Sequence, residues 1–176
     1  MRWRHKDSKG GKSGPHDRGA DVYAGLREQI LRLDPATAGM SQRPGGAIVW
    51  GALMEMGYPN GVATIVALAD GTTSMYTSSG GGIIGGGGHR AVVTATHAFL
   101  ESVADHLGEL RPDPGEALPA PGQVIIRALT YSGRLSGQAP EDDLGNRRHS
   151  LAPVFYAGQE VITQLRLIDE ARTAGR

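Results

Sequence analysis

The sequence predicts an α+β domain with one antiparallel sheet of about five strands and three helices, in the order α-β-β-β-α-β-β-α. The segment 47–79 is rich in β-branched and aromatic residues. It is broken by Asn60-Gly61 and Asp70-Gly71, dipeptides that favour two-residue hairpin turns. Stretches with an apolar residue at every third or fourth position lie on both sides of this segment and again near the end of the chain, and they indicate amphipathic helices.

The length of the chain, 176 residues, fits a single domain with one apolar core. We predict that residues 1–18 form an arm and that residues 19–176 form the folded domain. The arm carries six basic and two acidic side chains, a net charge of +4, although the formal charge of the whole chain is zero. Its polar, glycine-containing sequence predicts disorder. Nucleic acid is not an expected partner, because base stacking needs several aromatic side chains and the arm has Trp3 alone.

The first helix is predicted to follow Asp21, which can cap it, and to stop at Pro35. Its apolar face would consist of Val22, Leu26, Ile30 and Leu33. Three strands are then expected near residues 47–56, 62–69 and 72–79. The first of them also fits a short buried helix, because Ile48, Trp50, Leu53 and Met54 lie at helical spacing.

A second helix is predicted from one continuous apolar stripe, which contains Val92, Thr96, Phe99, Val103, Leu107 and Leu110. Gly108 and Pro112 are expected to end it. A hairpin that turns at Ser132-Gly133 follows a proline-rich loop.

The last helix is expected from about Leu151, with Ser150 as its cap and Pro153 in its first turn. Gly158 lies on its apolar face, together with Val154, Val161, Leu165 and Ile168. Because a glycine there would let another backbone approach, this helix supports a homodimer.

This order of elements resembles the profilin-like architecture, and specifically the roadblock/LC7 group of small dimerising regulatory proteins. The resemblance covers roughly residues 20–170 and rests on the element order, on the hairpin VATIVALADGTTSMYTS at 62–78 and on the helix after it. It implies a non-enzymatic platform that pairs through a sheet edge or a helix and binds another protein.

The glycine-rich stretch GGGIIGGGGHR at residues 80–90 holds the main candidate ligand site. Gly80, Gly82 and Gly85 satisfy a dinucleotide-binding spacing, but the strand before them belongs to a hairpin, which argues against that fold. Free backbone N–H groups before a helix N-terminus can still bind an anion. The candidate residues are Gly82, Gly85, Gly88, His89 and Arg90.

The alternative is that the same stretch is a connector, a loop without a ligand, in which Ile83 and Ile84 are buried in the core and the glycines are mobile. A second candidate anion site, Arg147, Arg148 and His149, precedes the last helix. Cations at the start of a helix are disfavoured by its macrodipole, so a bound anion would stabilise them. The alternative explanation is that solvent screens these charges.

No arrangement of side chains indicates a reaction. The chain has no cysteine, which excludes disulfides and thiolate sites. Glu141, Asp142 and Asp143 lack the spacing of a calcium loop, and His97 and His106 lie on opposite sides of one helix. We therefore predict no catalytic residue, no metal site and no cofactor.

These patterns predict a non-catalytic regulatory or scaffold module that acts through protein contacts, as a homodimer with exposed sheet edges. The alternative is a small anion- or nucleotide-binding protein, possibly an enzyme, that uses the glycine-rich stretch. The sequence shows no signal peptide and no apolar run of membrane-spanning length, which predicts a cytoplasmic protein. Basic residues in the body are all arginine, which suggests a GC-rich bacterial genome.

Overall fold

The computed structural model describes residues 15–42, 46, 48–113, 115 and 117–175, with side chains from residue 19 onward. Of the predicted arm, residues 1–14 lie outside the described residues, and residues 15–18 belong to the first helix. The elements are α1 (Pro15–Leu31), β1 (Val49–Tyr58), β2 (Gly61–Leu68), β3 (Thr73–Thr77), β4 (Gly82–Ile83), α2 (Arg90–Asp105), β5 (Arg111–Pro112), β6 (Gln123–Thr130), β7 (Gly133–Pro140), α3 (Glu141–Gly145) and α4 (Ala152–Ala174).

The α+β class is confirmed, but the numbers of elements differ from the prediction. All neighbouring strands pair antiparallel in one seven-stranded sheet of order β4-β3-β2-β1-β6-β7-β5. The two additional strands, β4 and β5, have two residues each, and the additional helix, α3, has five. Elements this short leave no periodic pattern in a sequence.

The first apolar segment is a strand rather than the alternative short helix. Nine of the ten residues of β1, from Val49 onward, are buried, and only Tyr58 is exposed. β1 lies in the middle of the sheet and is covered on both faces, so its sequence is almost continuously apolar and does not alternate.

Helices cover both faces of the sheet and enclose two apolar cores. α2 and α4 pack against each other and on one face, where Phe99 and Leu165 are fully buried. α1 covers the other face, where Tyr23 packs with Trp50 and Tyr76. The glycine-rich stretch therefore lies between α1 on one side of the sheet and α4 on the other.

Several predicted helix ends are wrong. α1 begins at Pro15, before the predicted cap Asp21, and α2 ends at Asp105. The stripe continues past α2 through a 3-10 turn at Leu107–Glu109. The cap of α4 is Leu151, because the hydroxyl of Ser150 donates instead to Glu109 of that 3-10 turn.

Gly158 does not face a second backbone. A side-chain carbon at this position would meet the Met54 sulfur at 2.7 Å and the Phe99 ring at 3.3 Å. The glycine makes room for Met54 inside the core, so α4 gives no support for a dimer.

Candidate functional site

The glycine-rich stretch is folded tightly onto the sheet over part of its length. Gly80 and Gly81 have φ angles of 99° and 90° and turn the chain from β3 into β4. Gly82 pairs with Tyr76, and a Cβ there would collide with the carbonyl oxygen of Met75. A Cβ on Gly87 would lie 2.5 Å from the carbonyl oxygen of Gly71. These glycines permit turns and close backbone approach.

The two isoleucines of the stretch face opposite sides of the sheet. Ile83 pairs with Met75 and is 9% exposed, in the core beneath α2 and α4. Ile84 points to the α1 side and is 66% exposed. The connector hypothesis expected both to be buried, and that expectation is wrong for Ile84, because strand geometry sends successive side chains to opposite faces.

An open groove lies between α1 and the β3–β4 turn, on the side where Ile84 is exposed. We call it the edge groove; its volume is about 530 Å³. Its described lining consists of Gly19, Val22, Tyr23, Leu26, Tyr76, Thr77, Gly80, Gly81, Gly82 and Ile84. None of these residues carries a formal charge, and Val22 is 62% exposed. The groove can therefore accept an uncharged, apolar group.

Among the described residues, β4 also leaves part of its backbone unpaired at the end of the sheet. The N–H of Thr77 donates to the carbonyl of Gly81 at 3.1 Å. Hydrogen-bonded pairs alternate along an antiparallel ladder, so the backbone groups of Ile83 point towards β3. Those of Gly82 and Ile84 then point away from β3, to the open edge.

A row of polar side chains runs from the edge groove to the middle of the sheet, beneath α1. The pairing register places Tyr76, Thr64 and Glu55 side by side on three neighbouring strands. From α1, the hydroxyl of Tyr23 lies 2.8 Å from Thr64 Oγ1, and Arg27 Nε donates to Glu55 Oε1 at 2.5 Å. All five residues are buried, so this row fixes α1 on the sheet.

The row ends in an ion network. Arg127 Nε donates to Glu55 Oε2 at 2.8 Å, and its Nη1 donates to Asp113 Oδ1 at 2.8 Å. Its Nη2 donates to the carbonyl of Ala117 at 2.6 Å. The network joins α1, the sheet and the proline-rich loop. Each of its charged side chains is paired with one of opposite charge, so its role is structural. Oδ2 of Asp113 is buried without a hydrogen-bond partner among the described residues, and it lies 3.7 Å from Nε of Arg134.

Sequence reasoning missed this row of polar side chains, although the row is visible in the sequence as isolated charged residues. Glu55 stands alone as an acid in a strand of apolar residues, and Arg127 stands alone as a base in another. A charged residue in a buried strand needs a partner of opposite charge. Matching the two would have predicted that their strands, β1 and β6, are neighbours.

The two tyrosines at the groove differ in hydrogen bonding. Among the described residues the hydroxyl of Tyr76 is buried and has no hydrogen-bond partner. Burial raises the pKa of Tyr76, and the neighbouring Tyr23 and Glu55 raise it further. Burial also raises the pKa of Tyr23, against the lowering effect of its hydrogen bond to Thr64. Both phenols thus remain neutral and protonated at physiological pH.

The predicted anion-site residues fall into two groups at opposite ends of the α2–α4 pair. His89 Nε2, at the start of α2, lies 3.2 Å from Nη2 of Arg172, near the end of α4. The start of α4 lies beside the end of α2, where Ser150 bonds Glu109. One group is Gly82, Gly85, Gly88, His89 and Arg90; the other is Arg147, Arg148 and His149. They cannot form one site.

In the second group, each basic side chain has a partner within the chain. Arg148 pairs with Asp142 and, at 2.9 Å, with Asp143, and the hydrogen bonds that it donates to these two carboxylates raise its pKa. The guanidinium of Arg147 lies 5.0 Å from the centre of the Tyr156 ring. His149 Nδ1 accepts from the N–H of Leu151 at 3.1 Å. In the first group, the side chain of Arg90 is exposed.

The described part of the chain offers neither a metal-binding cluster nor a membrane-spanning helix. Its residues hold no group of three or more histidine, aspartate or glutamate side chains that could bind a metal ion. None of its helices combines the length and the apolar character needed to cross a membrane.

Comparisons with protein families, with curated proteins and with solved structures found no match to this chain. The resemblance to the roadblock/LC7 group therefore stays a prediction.

Proposed function

We propose that the protein is a non-catalytic regulatory or scaffold module, and that it acts by binding another protein at the edge groove. The observation that carries the proposal is that this apolar groove lies next to the open edge of β4. Both features lie at the same margin of the sheet, and Gly82 belongs to both.

Apolar exposure supports this location. Val22 and Ile84 line one groove and are more than half exposed, and the lining between them carries no formal charge. Contiguous apolar surface is a common feature of the places where a folded protein binds another molecule. Burying a side chain such as Ile84 contributes about 1.5–3 kcal/mol to association.

The composition of the strand edge supports the same location. Edge strands are normally shielded by their shortness, by lysine, by proline, by a bulge or by a covering element, because their free N–H and C=O groups pair with other chains. β4 is short, with two residues, but its sequence supplies neither of the two residue types that shield an edge. From Gly80 to Gly88 the sequence has no charged residue and no proline. An edge of this composition favours a partner.

Site-specific photo-crosslinking tests the proposal. A benzoylphenylalanine residue would replace Ile84 in the groove or, as a control, Ile48, which is 54% exposed just before β1. β1 is separated from β4 by two strands, so position 48 reports on non-specific contact. After illumination in the cells that produce the protein, we expect a covalent protein adduct from position 84 and none from position 48. Equal adducts from both positions, or none from position 84, would contradict the proposal.

A further inference from the structure

We propose that the first half of α1, residues 15–24, is a lid over the edge groove, and that it opens at Gly25 by local unfolding to admit the partner protein. The inference rests on the proposed function and names the regulation of its site. The lid supplies most of the groove residues that come from α1, namely Gly19, Val22 and Tyr23, and the second half supplies Leu26. Movement of the lid away from the sheet therefore widens the groove.

The second half of α1 is fixed to the sheet by buried polar contacts. Arg27 is 6% exposed and donates to Glu55, which is fully buried. The carbonyl of Leu31, the last residue of α1, accepts from Nη1 of Arg134 at 3.2 Å. These contacts hold the second half in place when the first half moves.

The lid is attached by much less. Of its described side chains, at residues 19–24, only that of Tyr23 is buried, and its hydroxyl lies 2.8 Å from Thr64 Oγ1. A Cβ on Gly19 would come within 3.3 Å of the Gly80 Cα atom, so the lid meets the β3–β4 turn with glycine against glycine and without interlocking side chains. Segments with few buried apolar contacts are the ones that open first in a folded protein.

Gly25 marks the point at which the two halves separate. It lies inside α1, where a Cβ would meet nothing within 4 Å, so packing does not require a glycine there. Glycine in a helix interior lowers the stability of the helix, because its backbone loses more freedom than that of other residues. A detached helix as short as the lid is not stable in water, so the lid unfolds when it leaves the sheet.

The closed lid also buries an unpaired hydroxyl. Tyr76 is 5% exposed, and its hydroxyl has no hydrogen-bond partner among the described residues. The ring of Tyr23 packs edge-to-face against the ring of Tyr76, with centroids 5.5 Å apart. A buried donor without a partner destabilises the state that contains it. When the lid takes Tyr23 away, water or the partner can bond to this hydroxyl, and the closed state loses its advantage over the open one.

Amide hydrogen exchange of the full chain, measured for single residues, tests the lid. After correction for intrinsic rates, the N–H groups of Tyr23 and Ala24 should exchange at least about tenfold faster than those of Ile30 and Leu31. Fraying confined to the first turn would leave Tyr23 and Ala24 protected.

Two substitutions test the cause of the opening. Gly25→Ala should slow exchange at Tyr23 and Ala24 by about twofold to fivefold, because Gly25 loses its helical backbone angles when the lid opens. Tyr76→Phe should slow it by at least about fivefold, because the closed state then buries no unpaired hydroxyl. The control is Gly145→Ala at the end of α3, where a Cβ also meets nothing within 4 Å, and it should leave exchange in the lid unchanged.

Photo-crosslinking connects the lid to partner binding. In a chain with benzoylphenylalanine at position 84, Gly25→Ala should lower the yield of the protein adduct by about twofold to fivefold. The reason is that apparent affinity falls in proportion to the population of the open state. Gly145→Ala should leave the yield unchanged.

The outcomes separate this inference from the proposed function. Equal exchange in the two halves of α1, exchange in the lid that responds to neither Gly25→Ala nor Tyr76→Phe, or an adduct yield that Gly25→Ala does not lower, overturns the inference. In each of these cases an adduct at position 84 leaves the proposed function standing. If position 84 gives no adduct in any variant, the proposed function is wrong, and the exchange rates still decide whether the lid opens.

Discussion

Arg127 and Glu55 form a fully buried ion pair between neighbouring strands, with Nε 2.8 Å from Oε2. The other carboxylate oxygen of Glu55 accepts from Arg27 of α1. One carboxylate therefore links the middle of the sheet to the helix that forms a wall of the edge groove.

Neutralising this carboxylate should be costly. Glu55→Gln removes the buried carboxylate that binds both Arg27 and Arg127, and we expect a loss of about 3–5 kcal/mol in the free energy of unfolding. Urea denaturation measures it. The control is Glu28→Gln, which breaks the exposed pair between Glu28 and Arg32 and should cost less than about 1 kcal/mol. Equal losses in the two variants would show that the buried network does not hold α1.

Two adjacent glycines should respond differently to alanine. A Cβ on Gly87 would lie 2.5 Å from the Gly71 carbonyl oxygen, whereas a Cβ on Gly88 would meet nothing within 4 Å. We expect Gly87→Ala to destabilise the protein by about 1–3 kcal/mol through overpacking. Gly88→Ala should be neutral or stabilise it by up to about 1 kcal/mol. Thermal unfolding distinguishes them, and equal tolerance would indicate that the stretch is a slack connector.

The two tyrosines at the groove should also differ in how much stability the protein loses when each is replaced by phenylalanine. Tyr76→Phe removes a buried hydroxyl that has no partner among the described residues, so stability should stay the same or rise. Tyr23→Phe removes the bond to Thr64 and should cost about 1–2 kcal/mol. A comparable loss in Tyr76→Phe would show that its hydroxyl has a partner.

The same variant alters the dependence of stability on pH. An unfolded tyrosine loses its proton near pH 10. Because burial raises the pKa of Tyr76 in the folded state, the folded protein keeps that proton longer. The contribution to stability is therefore complete below about pH 10 and is lost as the pH rises further. Between pH 10 and 12, Tyr76→Phe should lose stability less steeply than the unaltered protein.

Simple anions should not stabilise the protein. The two predicted groups of anion-binding residues lie at opposite ends of the α2–α4 pair, and Arg148 is already paired with Asp142 and Asp143. We expect phosphate or sulfate at about 10 mM to leave the melting temperature unchanged. An anion stabilises a protein only when its concentration is near or above its dissociation constant for a site in the folded state. A rise of several degrees that Arg90→Ala abolishes would favour an anion site at α2.

Local signals were enough to predict the central hairpins. Asn60-Gly61 and Asp70-Gly71 marked the positions of the two turns, and Gly61 and Gly71 have φ angles of 138° and 88°. The two-residue loop of the first hairpin is Pro59-Asn60 rather than Asn60-Gly61, because Gly61 pairs with Tyr58. β1 was ambiguous because burial on both faces removes the alternation that identifies a strand. β4 could not be predicted, since its two residues become a strand only by pairing with β3.

The candidate site was predictable only in part. The glycine-rich stretch was singled out from its composition, and it does border the edge groove. The other wall comes from α1, about sixty residues earlier in the chain, and no local pattern brings the two together. The interaction of Glu55 with Arg127 spans 72 positions and depends on the order of strands in the sheet.

Amide hydrogen exchange at Gly82 and Ile84 tests most directly whether the edge of β4 is the contact surface. These N–H groups point to the open edge, so they should exchange rapidly in a dilute sample. In an extract of the cells that produce the protein, their exchange should slow at least several-fold as a bound partner accepts hydrogen bonds from them. Amides of Gly137 and Gln138, near the opposite edge of the sheet, should not change. Exchange at Gly82 and Ile84 that is equally fast in buffer and in the extract, with or without a slowing at the opposite edge, would contradict the account.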